Sequence, residues 1–203
     1  MVWGGNGMRS AVAVANFFVR LQQQTMQAEM SGNKLQDLVY LAHGYLLGTL
    51  SESLINTAVF ACRDGVVVPE LQDLGCAGGK RVSRPLALFE LDETRGVMVE
   101  QIPVLHPKEP SAVHLLKVWE FWAATPAFEL REFVREHGAP WDLIWNDESR
   151  ALDQPRRIPN ATIRLWFRDY LAREMPRRQV QQQHLGDTQA VLIHPDPGRL
   201  RSV

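Results

Sequence analysis

The strongest constraint on the fold lies in residues 31–45, where apolar side chains recur at intervals of three and four. This spacing places them on one stripe of an amphipathic helix. Ser31 predicts an N-cap, because its hydroxyl can accept a hydrogen bond from a free N–H of the first turn. Gln36, Asp37 and His43 fall on other faces, so we expect the helix to bury one side and expose another. The apolar stripe consists of Leu35, Leu38, Val39, Ala42 and Leu46.

The 203 residues have room for one good-sized domain with an additional arm or tail. Hydrophobic residues at 45% and charged residues at 22% are ordinary globular values, which argue against extended disorder. A formal net charge of −1 provides no broad field for phosphates and argues against a nucleic-acid partner. No run approaches the roughly 20 apolar residues that span a bilayer, and the first residues lack a signal-peptide pattern. We therefore expect a soluble cytoplasmic protein with no membrane partner.

Apolar periodicity predicts further helices. Thr125 is expected to cap the helix that starts at Pro126, with Phe128 among the residues facing the core, and Val113 and Leu116 belong to the apolar side of the helix before it. Cys62 and Cys76 are expected to be reduced, Cys62 as a small buried hydrophobe. The additional predicted helices cover residues 10–30, 69–74, 111–124, 127–137, 140–145 and 158–174.

The clearest β pattern consists of two apolar runs, residues 86–91 and 97–102, joined by a short polar turn that contains glycine. This arrangement predicts a hairpin. Residues 54–62 and 66–68 are compatible with short extended segments, and residues 146–157 predict a polar loop. The fold class is therefore mainly α, a compact helical domain with a small β-hairpin and short strands, at the margin of α+β. We divide the chain into an N-terminal arm (1–9), a helical domain (10–174) and a polar, basic C-terminal tail (175–203).

Sequence motifs for catalysis are absent or weak. There is no H-E-x-x-H, paired C-x-x-C or G-x-S-x-G motif. Residues 75–81 faintly resemble a phosphate loop, but Arg81 stands where Ser or Thr must bind magnesium. No histidine lies three or four residues from another or from a cysteine, so we predict no metal site, no cofactor and no enzyme activity. A competing hypothesis is an enzyme that uses His43 with Asp64 or Glu70.

Four blocks of sequence, in this order, resemble the Panacea domain family of SocA-like and GepA-like antitoxin domains. The first two are VANFFVRL at 14–21 and SGNKLQDLVYLAHGYLL at 31–47. The third is RDGVVVPEL at 63–71. The fourth joins AFELREFVREHGAPWDLIW at 127–145 to IPNATIRLWF at 158–167. Together the blocks span about residues 14–172.

The chain departs from the family pattern at a few positions. Gly32 and Asn33 replace Pro-Leu before Lys34, Asp64 and Gln72 replace tyrosines, and Val66 replaces a proline. The resemblance implies a cytoplasmic, prophage-type antitoxin that binds and neutralises a cognate protein toxin directly, without catalysis. Its alternative is an adaptor or regulator of a phage or mobile element that delivers a partner to a protease or chaperone, with the tail as its contact.

The resemblance also implies two sets of residues. The candidate partner-binding residues are Arg63, Asp64, Glu70, Gln72, Trp141 and Asp142. The family-motif residues that hold the scaffold are Leu35, Leu38, Tyr40, Gly65, Pro69, Pro140, Trp141 and Pro159.

Overall fold

A computed structural model of the chain describes residues 9–25, 30–76, 78–106, 108–147 and 154–173. The predicted tail at 175–203 and residues 1–8 of the predicted N-terminal arm lie outside these ranges. Within them, no helix combines the length and the apolar character that crossing a bilayer requires.

The described chain is mainly helical with two small antiparallel sheets, as the sequence predicted. The helices are α1 (Ala11–Thr25), α2 (Gly32–Leu50), α3 (Pro69–Asp73), α4 (Pro110–Trp122), α5 (Ala127–Val134), α6 (Pro140–Trp145) and α7, described over residues 160–173. The strands are β1 (Val59–Cys62), β2 (Gly65–Val67), β3 (Leu88–Asp92), β4 (Val97–Gln101) and β5 (Arg156–Ile158).

Helix α2 is the centre of the fold. The Ser31 side chain caps it by accepting from the Lys34 N–H at 3.2 Å, as predicted. The expectation that Gln36, Asp37 and His43 lie on an exposed side is wrong, because all three are buried. Helices α1, α4 and α5 and strand β2 pack around α2 and leave it no solvent-facing side over most of its length. The polar side chains are therefore part of the interior.

Helix α7 crosses α2 at very close range. A Cβ at Gly44 would lie 2.2 Å from Cε2 of Phe167, which no side chain tolerates. The Phe167 ring also packs edge-on against Tyr40, with ring centroids 5.7 Å apart. Gly44 is thus required by the crossing, and the glycine allows the aromatic ring to lie directly on the α2 backbone.

The first sheet has the strand order β2-β1-β5 and is antiparallel throughout. Strand β5 is a correction to the sequence analysis, because Arg156 and Arg157 were predicted to end a polar loop and Ile158 to begin the last helix. Ile158 is the one buried residue of β5. Because the other two residues are Arg156 and Arg157, the strand has no apolar sequence pattern by which to predict it. The strand forms because β1 offers it an open edge, with Ala61 opposite Arg156.

Two helices bury less apolar surface than predicted. Phe128 was expected to face the core but is 65% exposed, and Val113 and Leu116 of α4 are 54% and 39% exposed. Helix α5 is short and buries only Leu130 and Val134, so its first turn projects beyond the core. It begins at Ala127, with Pro126 as its N-cap residue instead of its first helical residue.

Candidate functional site

His43 is a buried connection between three segments. Its Nδ1 accepts a hydrogen bond from the Leu54 N–H at 3.3 Å, so Nε2 carries the proton and donates to Asn160 Oδ1 at 3.2 Å. Burial lowers the pKa of the imidazole, which favours its neutral form. Because both ring nitrogens are engaged, His43 has no open nitrogen for the catalytic role considered above.

Asp37 forms a buried ion pair with Arg131. The carboxylate is fully buried, and its Oδ2 lies 2.9 Å from Arg131 Nε. The distance suits a hydrogen bond but the N–H is poorly aligned, so the contact is chiefly electrostatic. Burial raises the pKa of Asp37 to about 7, and the nearby Arg131 charge opposes that rise. The pair therefore holds α5 against α2 at a cost in desolvation.

Arg131 also holds the turn between β1 and β2. Its Nη1 donates to the Asp64 carbonyl at 3.0 Å, and its Nη2 donates to the Asn33 carbonyl at 3.3 Å. Gly65 has φ +132°, and a Cβ there would lie 2.1 Å from Nη1 of Arg131. Both the backbone conformation and the close guanidinium require glycine at this position.

The remaining polar residues of α2 fasten the helix to its neighbours. Gln36 accepts from the Val68 N–H at 2.8 Å and donates to the Cys76 carbonyl, so its amide bridges both ends of α3. Lys34 Nζ donates to the Ala123 carbonyl at 2.6 Å, and burial lowers its pKa. Burial, and secondarily the Asp37 charge, raise the pKa of the Tyr40 phenol. These residues form a structural polar centre.

Trp141 of α6 also contacts the β1–β2 hairpin. Its Nε1 donates to the Cys62 carbonyl at 2.9 Å, and its ring stacks on Trp145 with centroids 6.0 Å apart. The guanidinium of Arg135 lies 4.5 Å from the centroid of the Trp141 ring. Trp141 is only 4% exposed, so the structure places this predicted contact residue inside the scaffold.

Two acidic residues of the predicted binding set accept hydrogen bonds from backbone N–H groups at or just before the start of a helix. Glu70 Oε2 accepts from the Ala11 N–H at 3.2 Å and stabilises the start of α1. Asp142 Oδ2 accepts from the Gly138 N–H at 2.8 Å and lies 3.1 Å from His137 Nδ1. These contacts, the backbone hydrogen bond first, lower the pKa of Asp142.

The exposed part of the predicted binding set is small. Arg63 and Asp64 lie at the tip of the β1–β2 hairpin, and Gln72 lies on the outer side of α3. The predicted scaffold residues lie in the interior or at the starts of helices. Leu35, Leu38 and Tyr40 are buried, Pro69 and Pro140 begin α3 and α6, and the Pro159 carbonyl accepts from the Ile163 N–H at 3.1 Å.

The β3–β4 hairpin projects from the domain. We call this hairpin the arm, and it is distinct from the N-terminal arm of residues 1–9. Each of the five β4 residues is exposed, and β3 is exposed except at its half-buried ends. At the tip, Asp92 Oδ1 accepts from the Thr94 N–H at 3.0 Å and the Arg95 N–H at 3.2 Å. The contacts of Thr94 and Arg95 with this carboxylate lower its pKa.

A buried asparagine fixes both ends of the arm. Asn16 of α1 is fully buried, and its Nδ2 donates to the carbonyls of Leu86 at 2.9 Å and Pro103 at 2.8 Å. Its Oδ1 accepts from the Leu86 N–H at 2.6 Å. One side chain thus satisfies three backbone groups where the chain leaves and re-enters the domain. The arm projects from a defined position.

A groove of about 370 Å³ opens beside this base, between α1 and α4. Exposed apolar side chains continue along the chain from the arm through Ile102 to Val104, which lines the groove. Its other lining residues include Phe17 and Leu21 of α1 and Leu116 of α4. The arm, Ile102 and the groove together carry eight of the thirteen large exposed hydrophobic residues in the described ranges.

Sequence reasoning placed the arm as a hairpin but did not assign it a role. The signal was available, because a two-stranded hairpin has too few strands to bury its faces and the next predicted element in the chain is a helix, at residues 111–124. Proline at 103 and at 110 separates the arm from the next helix. A hairpin so isolated is expected to keep its apolar side chains exposed.

No family model, curated protein or solved structure matches this chain. Among the described residues, no group of histidine, cysteine, aspartate and glutamate is arranged to hold a metal ion. Both cysteines carry free thiols, and Cys62 is half-buried instead of fully buried.

Proposed function

We propose that this chain is an antitoxin-type protein, which neutralises a toxin encoded beside it by direct protein–protein contact and without catalysis. The observation that carries the proposal is the arm, where apolar side chains are concentrated at the surface. Six of the thirteen large exposed hydrophobic residues in the described ranges lie on or directly after it: Phe89, Leu91, Val97, Met98, Val99 and Ile102. Contiguous exposed apolar surface of this kind marks interaction sites.

The positions of the four family-like blocks support the proposal. The blocks contact one another through Asp37 and Arg131, through Gln36 and Val68, and through Arg131 and the Asp64 carbonyl. These contacts give a physical reason for motifs so far apart in the chain to occur together. The blocks build a rigid scaffold, which leaves recognition to the surface beside it.

The test is co-expression with the neighbouring open reading frame. We expect the neighbour to arrest growth when expressed alone, and this chain to restore growth and to co-purify with it. The matched control carries an early stop codon in this chain and should not restore growth. A neighbour that is harmless alone, or that arrests growth equally with and without this chain, contradicts the proposal.

A further inference from the structure

The two faces of the arm differ in composition. Because residues alternate along a strand and cross-strand pairs share a face, Phe89, Leu91 and Met98 lie on one face, where Leu91 is opposite Met98. These three side chains are 64%, 59% and 59% exposed. The opposite face carries valines opposite acidic residues, with Val99 paired to Glu90. Glu100 is paired to Phe89 on the first face, and Glu90 and Asp92 lie on the second, so we call these three carboxylates the acidic border of the apolar face.

The arm also offers unpaired backbone groups. Among the described residues the sheet has two strands, so each strand has one edge without a β partner. Strand β4 is the more accessible, because all five of its residues are exposed while Leu88 and Asp92 at the ends of β3 are half-buried. An open edge of this kind can accept an extended peptide as an additional strand.

The charge of the arm decides which peptide it fits. Residues 88–102 contain four acidic residues and one basic residue, a net charge of −3. The basic residue is Arg95, whose Nε lies 3.7 Å from Asp92 Oδ2 at the tip. A second copy of the chain would bring acidic groups against acidic groups, which is destabilising. A basic segment would complement them.

We propose that the arm binds a basic, extended segment of the partner, with alternating apolar and basic side chains, as a third strand along β4. This inference rests on the proposed function for the existence of a partner, and it identifies the chemistry of that partner's contact. The peptide backbone pairs with the open edge, its apolar side chains cover Phe89, Leu91 and Met98, and its cations face the acidic border. The base held by Asn16 limits the entropy lost on binding.

The test measures the anisotropy of fluorescent, capped octapeptides titrated with the full chain. The probe alternates lysine and valine. One comparator alternates glutamate and valine, and the other alternates lysine and proline, which keeps the charge but lacks half of the strand's N–H donors. We expect the lysine–valine peptide to bind at least tenfold more tightly than either comparator, and its affinity to fall as salt rises.

Variants locate the site. Phe89→Thr combined with Met98→Thr should weaken binding of the lysine–valine peptide at least tenfold, and Glu90→Lys combined with Glu100→Lys should weaken it similarly. Phe128→Thr is the matched control, since Phe128 is 65% exposed on α5 and Phe89 is 64% exposed on the arm. Glu132→Lys, an exposed position of α5, is the control for charge. Circular dichroism verifies that each variant is folded.

Several outcomes would overturn the inference. These are equal binding of the glutamate–valine or lysine–proline peptide, unchanged binding by either arm variant, and equal loss in the α5 controls. Self-association in size-exclusion chromatography that Phe89→Thr abolishes would instead indicate a second copy on the arm. If the chain neutralises its neighbour equally well with the arm double variant, the arm inference fails while the proposed function stands. A harmless neighbour defeats the function but leaves the peptide result intact.

Discussion

The chain contains two β-hairpins that are attached to the rest of the domain in different ways. The β1–β2 hairpin is held by side chains from two helices, because Arg131 donates to the Asp64 carbonyl and Trp141 donates to the Cys62 carbonyl. The arm is held at its base, where Asn16 binds the backbone of Leu86 and Pro103. The first hairpin is part of the interior, and the second extends from it.

The two hairpins also invert the usual distribution of side chains. Beneath the first lie two charged groups, the fully buried Asp37 and the half-buried Arg131, whereas the second exposes Phe89 and Met98 to solvent. Buried charge is retained only where specific contacts offset its desolvation, and exposed apolar surface contributes little to folding. We infer that changes at the first hairpin affect stability, and that changes at the arm affect recognition.

The largest effect is expected from Trp141→Ala. Removing a buried tryptophan costs about 3–5 kcal/mol, and the Cys62 carbonyl loses its donor as well. Trp141→Phe keeps most of the ring and should cost about 1–2 kcal/mol. Urea denaturation measures both. If Trp141→Ala left the free energy of unfolding nearly unchanged, the tryptophan would be a surface contact and the comparison between the hairpins would fail.

Arg131→Met should be nearly as damaging, at about 3–5 kcal/mol, because it leaves the Asp37 carboxylate buried without its cation. The double variant Asp37→Leu with Arg131→Met removes both charges and should recover the part of that loss that comes from the unpaired carboxylate, while the hydrogen bonds from Arg131 to the Asp64 and Asn33 carbonyls stay lost. The comparison uses free energies of unfolding at pH 7 in a double-mutant cycle. A double variant as unstable as the sum of the two single variants would show that the pair is not the reason.

These contacts define how far the sequence alone could lead. The cap at Ser31, the stripe of α2 and the position of the arm follow from local rules, and the structure confirms them. The burial of Asp37 depends on Arg131, which is distant in the chain, so periodicity assigned that carboxylate to an exposed side. Strand β5 depends on the open edge of β1. Exposure of the arm was open to prediction, because a helix follows the hairpin in the chain, but only the fold shows that among the described residues no third strand pairs with it.

The pH dependence of stability offers a test with a definite sign. The pKa of Asp37 is about 7 in the folded chain and about 3.8 in the unfolded chain, so the folded state binds more protons between these values. Its contribution therefore lowers the free energy of unfolding as the pH rises from about 4 to about 7.

His43 contributes with the opposite sign. Its pKa is lowered by burial, so the unfolded chain binds the proton first and stability rises with pH up to about 6.5. Subtracting the urea stability of Asp37→Asn from that of the unmodified chain at each pH isolates the Asp37 contribution. A difference that stays constant from pH 4 to pH 7 would contradict the raised pKa.

The smallest effect on stability is expected on the arm. Phe89 is 64% exposed, and threonine retains the preference for a strand, so Phe89→Thr should change the free energy of unfolding by no more than about 0.5 kcal/mol. Phe128→Thr on α5 should be equally mild, which makes the pair a measure of exposure alone. Thermal denaturation and urea denaturation provide the values. If Phe89→Thr destabilised the chain as much as Arg131→Met, the Phe89 ring would be packing against the domain, and the arm would be a structural element like the β1–β2 hairpin. A neutral result combined with the loss of peptide binding would separate the two hairpins, since one would then govern folding and the other recognition.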